Sequence, residues 1–365
     1  MDGTDHEALL SLSLSPGLGP VSIRNLVSHF SSPSNVLSAS KGKLLRTPGI
    51  GEKAAEAVLA LAGKQAALKE IEWCKQHEIR MISYLDSRYP NLLRYIHHSP
   101  LFLFQKGDLD FNAQPSIAIV GTRNATAYGK AIAREFSAFF ASKGINIVSG
   151  LAYGIDITAH KSVLEVAGKT TCVLAHGLDI IYPSVHRRQA NAILRHGAWL
   201  TEYLRGTKPD APHFPARNRI VAGMCQAVVV IEASKTGGAL ITARQAFDSN
   251  REVFAIPGRI QDPQSAGCHT LISEHTARLI SSPQEVLDEL DIQWLPEESM
   301  SHKQPPLALS AEESSVINAI GNEVLLIDQL MEKTGKPIQQ LHALLLAMEF
   351  KGLISQLPGK RFKLN

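Results

Sequence analysis

The stretch IAIVGTRNATAYGKAIAREFSAFFASKGINIVSGLAYG, residues 117–154, restricts the fold of this chain more than any other. Residues 117–121 form an apolar run closed by glycine. Residues 128–143 then set Ile132, Phe136, Phe139 and Phe140 at helical spacing, and residues 145–149 are apolar again. Strand, turn, helix, strand is the order of a βαβ unit. In such a unit the turn after the first strand lies at the carboxyl edge of the sheet, where helix N-termini leave N–H groups unpaired and point a positive dipole end outward. Anions are the natural guests there.

The alternation continues downstream. Helical patterns over 155–167, 184–195, 216–224 and 238–248 alternate with apolar runs at 170–175, 198–203, 227–233 and 252–258. Continuous apolar strands separated by amphipathic helices predict a doubly wound α/β domain, a parallel sheet covered on both faces, over residues 115–291. At 365 residues the chain is too long for one ordinary core, and other segments have their own character. Residues 1–70 look helical and carry two related turns, Pro16-Gly17-Leu18-Gly19 and Pro48-Gly49-Ile50-Gly51, each between helical patterns. This is the pattern of a repeated helix-hairpin-helix, whose glycines allow backbone amides close to a phosphodiester; Arg24 and Lys53 follow the turns and could add charge. A small helical packing module that binds nothing is the competing reading.

Residues 71–114 hold short apolar runs, turns and prolines, and are expected as a connector packed on the sheet. Residues 292–309, with Pro296, Pro305 and Pro306, suggest a linker. Beyond it, helical patterns over 312–320, 327–334 and 338–350 and two β-like runs around Pro358-Gly359 describe a winged helix over 310–365. Its third helix contains no Lys or Arg, which argues against direct duplex reading.

A formal charge of +3 permits a nucleic-acid partner only if basic residues are arranged on one surface. The four cysteines show no CxxC spacing, so neither a disulfide framework nor zinc is expected. Asp2, Asp5 and Glu7 give the N-terminus the wrong charge for a signal peptide, and no window approaches a membrane span; the cytoplasm is the expected location.

Neither G-x-G-x-x-G nor a P-loop is present. Gly168-Lys169-Thr170 ends like a P-loop, but Val163 stands at its first glycine position and the triplet leads into a strand. Four turns at strand ends are instead rich in small residues and donors: Gly121-Thr122-Arg123, Ser149 to Asp156 with Gly150 and Gly154, Phe214 to Arg219 with Arg217, Asn218 and Arg219, and Lys235 to Leu240 beginning Lys235-Thr236. Their convergence on one sheet edge would make a polyanion or phosphate site. Structural roles compete: tight turns for the glycines, and bridges from Arg217 and Arg219 to Asp210 or Glu232. Tyr128, Tyr153, Tyr182 and Phe214 lie near these turns and could stack on unpaired bases. For catalysis only Ser149, Asp156 and Glu232 are candidates, with no evident partner, and His160, His176 and His213 lack metal-ligand spacing.

The ordered motifs IVGTRNATAYG, SGLAYGIDITAH, VLAHGLDIIYP, FPARNRIVAG, VVVIEASKTGGALITA and REVFAIPG resemble the DprA/Smf family, DNA-processing proteins of natural transformation. The paired hairpins, the SRYPNLL connector and the C-terminal module resemble the family's accessory parts. The resemblance implies an extended Rossmann-like fold and a non-enzymatic, homodimeric protein, without cofactor or metal, that protects incoming single-stranded DNA and loads the RecA recombinase onto it. It also implies DNA-binding roles for Gly121, Thr122, Arg123, Gly150, Gly154, Arg217, Asn218, Arg219, Lys235 and Thr236, with the four basic residues on phosphates. Three departures stand out: Thr236 where the family usually has Ser, His186 where Asn is common, and His275-Thr276 in place of Gly-Ala. The alternatives are a nucleotide-processing Rossmann enzyme, such as a nucleoside monophosphate hydrolase using Asp156 or Glu232, and a regulator whose winged helix reads duplex DNA.

Overall fold

The computed structural model describes residues 3–292, 310–321, 324–350, 353–357 and 361–364. The chain divides into two compact units, residues 1–294 and 295–365. Most of the expected linker, residues 293–309, lies outside the described residues.

The first unit is built on a sheet of nine described strands: β1 (Ile79–Ser83), β2 (Phe102–Lys106), β3 (Ser116–Val120), β4 (Asn146–Ser149), β5 (Thr170–Val173), β6 (Ala198–Thr201), β7 (Ala227–Val230), β8 (Glu252–Ala255) and β9 (Arg278–Leu279). Their order is β1-β2-β6-β5-β4-β3-β7-β8-β9. From β6 to β9 all neighbours are parallel; β1 and β2 are antiparallel additions at the β6 edge. The connector thus contributes two strands to the sheet itself, beyond merely packing on it. Each of the two spans five residues, with Pro90 and Pro100 in the segment that joins them.

Helices precede and cover the sheet. The N-terminal segment folds as α1 (Gly3–Ser13), α2 (Pro20–Phe30), α3 (Pro33–Leu37), α4 (Lys41–Leu44), α5 (Glu52–Leu59) and α6 (Lys64–Gln76). Between the strands run α7 (Ala127–Ser142), α8 (Ile155–Glu165), α9 (Arg187–Ile193), α10 (His213–Gly223), α11 (Gly238–Asp248), α12 (Ala266–Ser273) and α13 (Pro283–Glu289). Alternation along β3 shows why both faces must be covered: Ile117 and Ile119 pack with Phe136 and Phe140 of α7 and Ala159 of α8, whereas Ala118 and Val120 pack with Val221 of α10 and Ala243 of α11. The helical segment shares a third core with the sheet edge, in which Leu9, Leu12 and Leu26 join Phe102, Phe104 and Trp199.

In both hairpin turns the first glycine takes a positive φ (Gly17 81°, Gly49 78°), the second caps the next helix, and Leu18 or Ile50 between them is buried. Arg24 is not available to a ligand as expected. Its guanidinium donates to the Ser99 carbonyl and hydroxyl at 2.9 and 2.8 Å and lies 4.2 Å over the Tyr84 ring. Lys53 is exposed.

The second unit holds α14 (Ala311–Ile320), β10 (Leu325–Leu326), α15 (Ile327–Thr334), α16 (Ile338–Phe350), β11 (Ile354–Leu357) and β12 (Arg361–Leu364), with strands ordered β10-β12-β11. Three helices against a small antiparallel sheet make the winged helix foreseen from the pattern. A capping box at Ser310 and Glu313 sets where its first helix begins. The Pro358-Gly359 turn lies outside the described residues. Among the described residues no helix is long and apolar enough to cross a membrane.

Leu103 of β2 is fully buried, so Leu103→Ala is expected to destabilise the first unit by about 2–5 kcal/mol in chemical denaturation; a change below about 0.5 kcal/mol would show that β2 is not integral. His160 of α8 is also buried, with Nδ1 donating to the Thr170 hydroxyl at 2.7 Å and Nε2 unpartnered. Burial depresses its imidazole pKa from 6.5 to about 3. Between those values the unfolded chain binds a proton that the folded chain refuses, so stability falls as pH falls, by up to about 1.4 kcal/mol per pH unit. His160→Gln is expected to flatten the plot of unfolding free energy against pH over that window.

Candidate nucleic-acid interface

Strand order reverses between β3 and β7: the chain leaves β3 towards α7 on one face and leaves β7 towards α11 on the other. Diverging connections open a crevice at the carboxyl ends of neighbouring strands. A cleft of about 670 Å³ lies there, and Gly121, Thr122, Arg123, Gly150, Arg217 and Asn218 all line it. Six of the ten expected residues therefore meet in one place.

The post-β3 loop is held from below by Glu232, which is 2 % exposed. Its carboxylate accepts the Thr126 N–H at 2.9 Å and the Thr126 hydroxyl at 2.5 Å, and its carbonyl accepts the Thr122 N–H at 2.7 Å. Thr126 in turn caps α7 by accepting the Gly129 N–H at 3.1 Å. A side chain at Gly129 would run into the Glu232 carboxylate, and one at Gly121 into Ile155. Gly154 is required twice over, by its φ of 77° and by carbonyls of Thr122 and Arg123 that a Cβ would meet at 2.2 and 2.6 Å. Gly154 thus locks the post-β3 loop to α8 from outside the cleft.

The second loop is built round Asp156, whose carboxylate accepts the Gly150 N–H at 3.1 Å and the Ala152 N–H at 3.4 Å. Burial raises its pKa from the ordinary carboxylate value, against the pull of the Arg217 guanidinium. Arg217 is 4 % exposed at the cleft floor, where Nη1 donates to the carbonyls of Gly150, at 3.1 Å, and Val173. A side chain at Gly150 would collide with that guanidinium. His186, at one of the departures, lies with Nδ1 2.9 Å from the Leu151 carbonyl and so buttresses the same turn.

Two expectations change here. The amides of Thr122 and Gly150 are spent on Glu232 and Asp156, so the ends of β3 and β4 do not offer them to an anion. Arg217, Asn218 and Arg219 do not converge as a set. They lie inside α10, which begins at His213, three residues earlier than the pattern suggested. Successive helical residues point about 100° apart. Arg217 and Asn218 therefore face the cleft, while Arg219 is turned into the separate pocket beside Leu10 and Phe102, paired with Glu202. Asp210 and Glu232, the carboxylates considered for these arginines, are not their partners.

At the rim Arg123 has no ion-pair partner among the described residues; it is exposed and lies 5.5 Å over the Phe214 ring. Phe214 packs against Tyr182 with centroids 5.9 Å apart, and Tyr182 is 46 % exposed. Lys235 and Thr236 are exposed on the loop leading to Gly237 and Gly238, which form the opposite wall with Ile241 and Thr242. Gly237 and Gly238 belong to the turn singled out from sequence; Ile241 and Thr242 do not, although they share one helix face with Gly238 by their i, i+3, i+4 spacing. Tyr128 is directed away, its hydroxyl donating to the Pro257 carbonyl at 3.1 Å, and Tyr153 lines a neighbouring groove.

Ser149, considered as a nucleophile, is buried with its hydroxyl donating to the Ile119 carbonyl at 2.7 Å. Among the described residues no group of three or more His, Cys, Asp or Glu could hold a metal ion. At the third departure, His275 takes a φ of 57°, the left-handed region where glycine is relaxed. Glu232→Ala would remove the buried, charged acceptor of two Thr126 donors, so it is expected to cost about 1–3 kcal/mol and to speed amide exchange at residues 122–129. Unchanged exchange there would show that the loop is held by something else.

Residues 80–291 match the family described as DNA recombination-mediator protein A, residues 300–360 its winged-helix domain, and residues 7–62 a SAM-like tandem helix-hairpin-helix. Protein Smf of Synechocystis is 33% identical over 400 residues, covering 100% of both chains. Protein Smf of Escherichia coli is 37% identical, covering 80% of this chain and 79% of its own. Among solved structures, DNA processing protein A from Streptococcus pneumoniae superposes with a TM-score of 0.67 at 35% identity, covering 78% of this chain and 97% of that one. DNA processing protein A from Helicobacter pylori, solved for its single-stranded DNA binding mode, does so with 0.54 at 27%, covering 60% and 97%. With more than half of its length matched by that family and a full-length relative above 30% identity, the chain belongs to the DprA/Smf family of DNA recombination mediators, which are not enzymes.

Proposed function

We propose that this chain binds single-stranded DNA in the switch-point cleft and, as a homodimer in the cytoplasm, protects incoming strands and loads RecA onto them during natural transformation. The observation that carries the binding step is the rim of Arg123, Phe214 and Tyr182: an exposed cation without an ion-pair partner among the described residues, set over an aromatic pair. Phosphates take the cation and unpaired bases take the rings, a combination that suits a single strand because a duplex keeps its base faces covered. Binding of single strands by the Helicobacter relative supports the same reading.

The site residues then divide by role. Arg123 takes phosphate directly, with Lys235 and Thr236 on the opposite rim. Gly121, Gly150 and Gly154 give the close packing that holds the loops, and Thr122 anchors the first of them. Arg217 fixes the 150-turn and lends positive potential to the floor, Asn218 is the polar group beside it, and Arg219 braces α10 through Glu202.

A nucleotide-processing enzyme would need a free carboxylate in the cleft. Glu232 is buried beneath the loop, and Asp156 is engaged by two amides and faced by Arg217. A duplex-reading regulator is disfavoured because α16 carries no Lys or Arg.

Fluorescence anisotropy of a labelled oligo-dT and of the matching duplex across a salt series, with AMP as competitor, tests this. The expected result is tight single-strand binding that weakens steeply with salt and ignores AMP. Arg123→Ala should lower affinity roughly fivefold or more and reduce the log–log salt slope by about 0.7, one phosphate contact on a single strand. Displacement by AMP at modest concentration would favour a mononucleotide site instead. RecA filament formation on coated DNA would then test the loading step.

A further inference from the structure

Beside the cleft runs a second depression of about 550 Å³, floored by the seam between α7 and α8. Arg123 lines both, so the two are continuous at that side chain. Lys130 and Arg134, one helical turn apart on α7, form one bank, and Lys161 of α8 forms the other. All three are exposed, and among the described residues none makes an ion pair or hydrogen bond through its side chain. Tyr153 stands where the groove leaves the cleft, 49 % exposed and held edge-on against His186 at 4.9 Å. Glu165 lines the far end as the groove's one carboxylate.

Unneutralised cations in a row need an explanation in a chain whose net charge is only +3. Many of its other basic side chains are already partnered: Arg24 by Ser99, Arg80 by Asp108, Arg205 by Glu70, Arg219 by Glu202, Arg244 by Glu274 and Arg278 by Glu289. We propose that the α7–α8 groove carries the phosphate backbone of the same single strand onward from the cleft, with Arg123 as the shared contact and Tyr153 as a stacking platform at the junction. This rests on the cleft being a single-strand site and adds the direction in which the strand leaves it. A groove with cations on both banks and an exposed ring at its mouth fits an extended polyanion with unpaired bases.

The test compares labelled dT6, short enough to occupy the cleft alone, with dT20, on the full chain. Variants are the triple Lys130→Ala/Arg134→Ala/Lys161→Ala and the single Glu165→Gln, each checked by thermal melting. The triple variant is expected to bind dT6 within about twofold of the unaltered chain but dT20 roughly 30-fold more weakly near 0.15 M salt. Its dT20 salt slope should drop by about 2, three contacts at about 0.7 each. Glu165→Gln should strengthen dT20 binding and leave dT6 unchanged, a gain that misfolding cannot produce. An unchanged dT20 affinity in the triple variant, with Arg123→Ala still weakening both lengths, overturns the groove path and leaves the cleft standing. Equal losses on dT6 and dT20 overturn it as well, because the groove would then belong to the first site. Failure of the unaltered chain to bind either oligonucleotide overturns the cleft reading, and the groove with it.

Discussion

One buried carboxylate holds the functional edge of this protein together. Glu232 leaves the end of β7 and, through its side chain and its own carbonyl, takes three donors from the loop after β3. The two strands it joins are the neighbours between which the sheet reverses its order. A crevice at such a point is bounded by connections that lead away from one another, so nothing in the doubly wound topology keeps its walls at a fixed separation. A desolvated acceptor satisfied by several donors supplies that tie, because stretching it leaves charge unpaired in a medium of low dielectric. Gly129 and Gly154 belong to the same arrangement: one makes room for the carboxylate and the other brings α8 against the loop.

The second tie works by the same chemistry with the charges reversed. Arg217 donates to carbonyls at the ends of two strands while Asp156 gathers the amides of the turn between them. Each ion is costly to bury alone, and together they offset part of that cost. The consequence for function is a cleft whose floor is polar but already satisfied. Capacity to take up a new anion therefore sits with Arg123 and the exposed Lys235 on the rim rather than with the engaged amides of Thr122 and Gly150.

Much of this was legible in the residues. Periodicity placed β3, α7, β4, α11 and the three helices of the second unit within a residue or two, because apolar runs and helical spacing are properties of local sequence. The four turns were found for a related reason, since small residues at strand ends are local signals too. The post-β7 loop was right as a turn, but its lining begins at Gly237 rather than at Lys235-Thr236, because which residues face a cleft depends on the partner loops. What stayed hidden was non-local. The five-residue runs in the connector become strands only because β6 has an open edge to pair with. The start of α10 was read three residues late because Pro212 and Pro215 look like turn residues, whereas proline is tolerated in a helix's first turn. That small shift reverses the meaning of Arg219: a turn could have aimed both arginines at the cleft, but helical geometry cannot. Burial of Glu232 under a loop 106 positions earlier in the chain has no sequence signature at all.

Charge shows how these placements combine into a binding surface. A net excess of +3 spread evenly over the molecule would give little attraction beyond a Debye length of about 8 Å at physiological salt. The fold concentrates it instead, by consuming arginines such as Arg24, Arg217 and Arg219 in internal bonds while leaving Arg123, Lys130, Arg134 and Lys161 without an ion-pair partner among the described residues around one corner of the sheet. Because those four project from a loop that Gly154 packs against α8 and from two helices that share one apolar core, their spacing is set before any ligand arrives. A flexible polyanion meeting them loses its own conformational freedom, but the protein loses little. On the proposed reading, affinity at this corner is governed mainly by counterion release rather than by a change of shape, and a cleft floor whose Arg217 and Asp156 are already engaged limits how much of that affinity a single mononucleotide could capture.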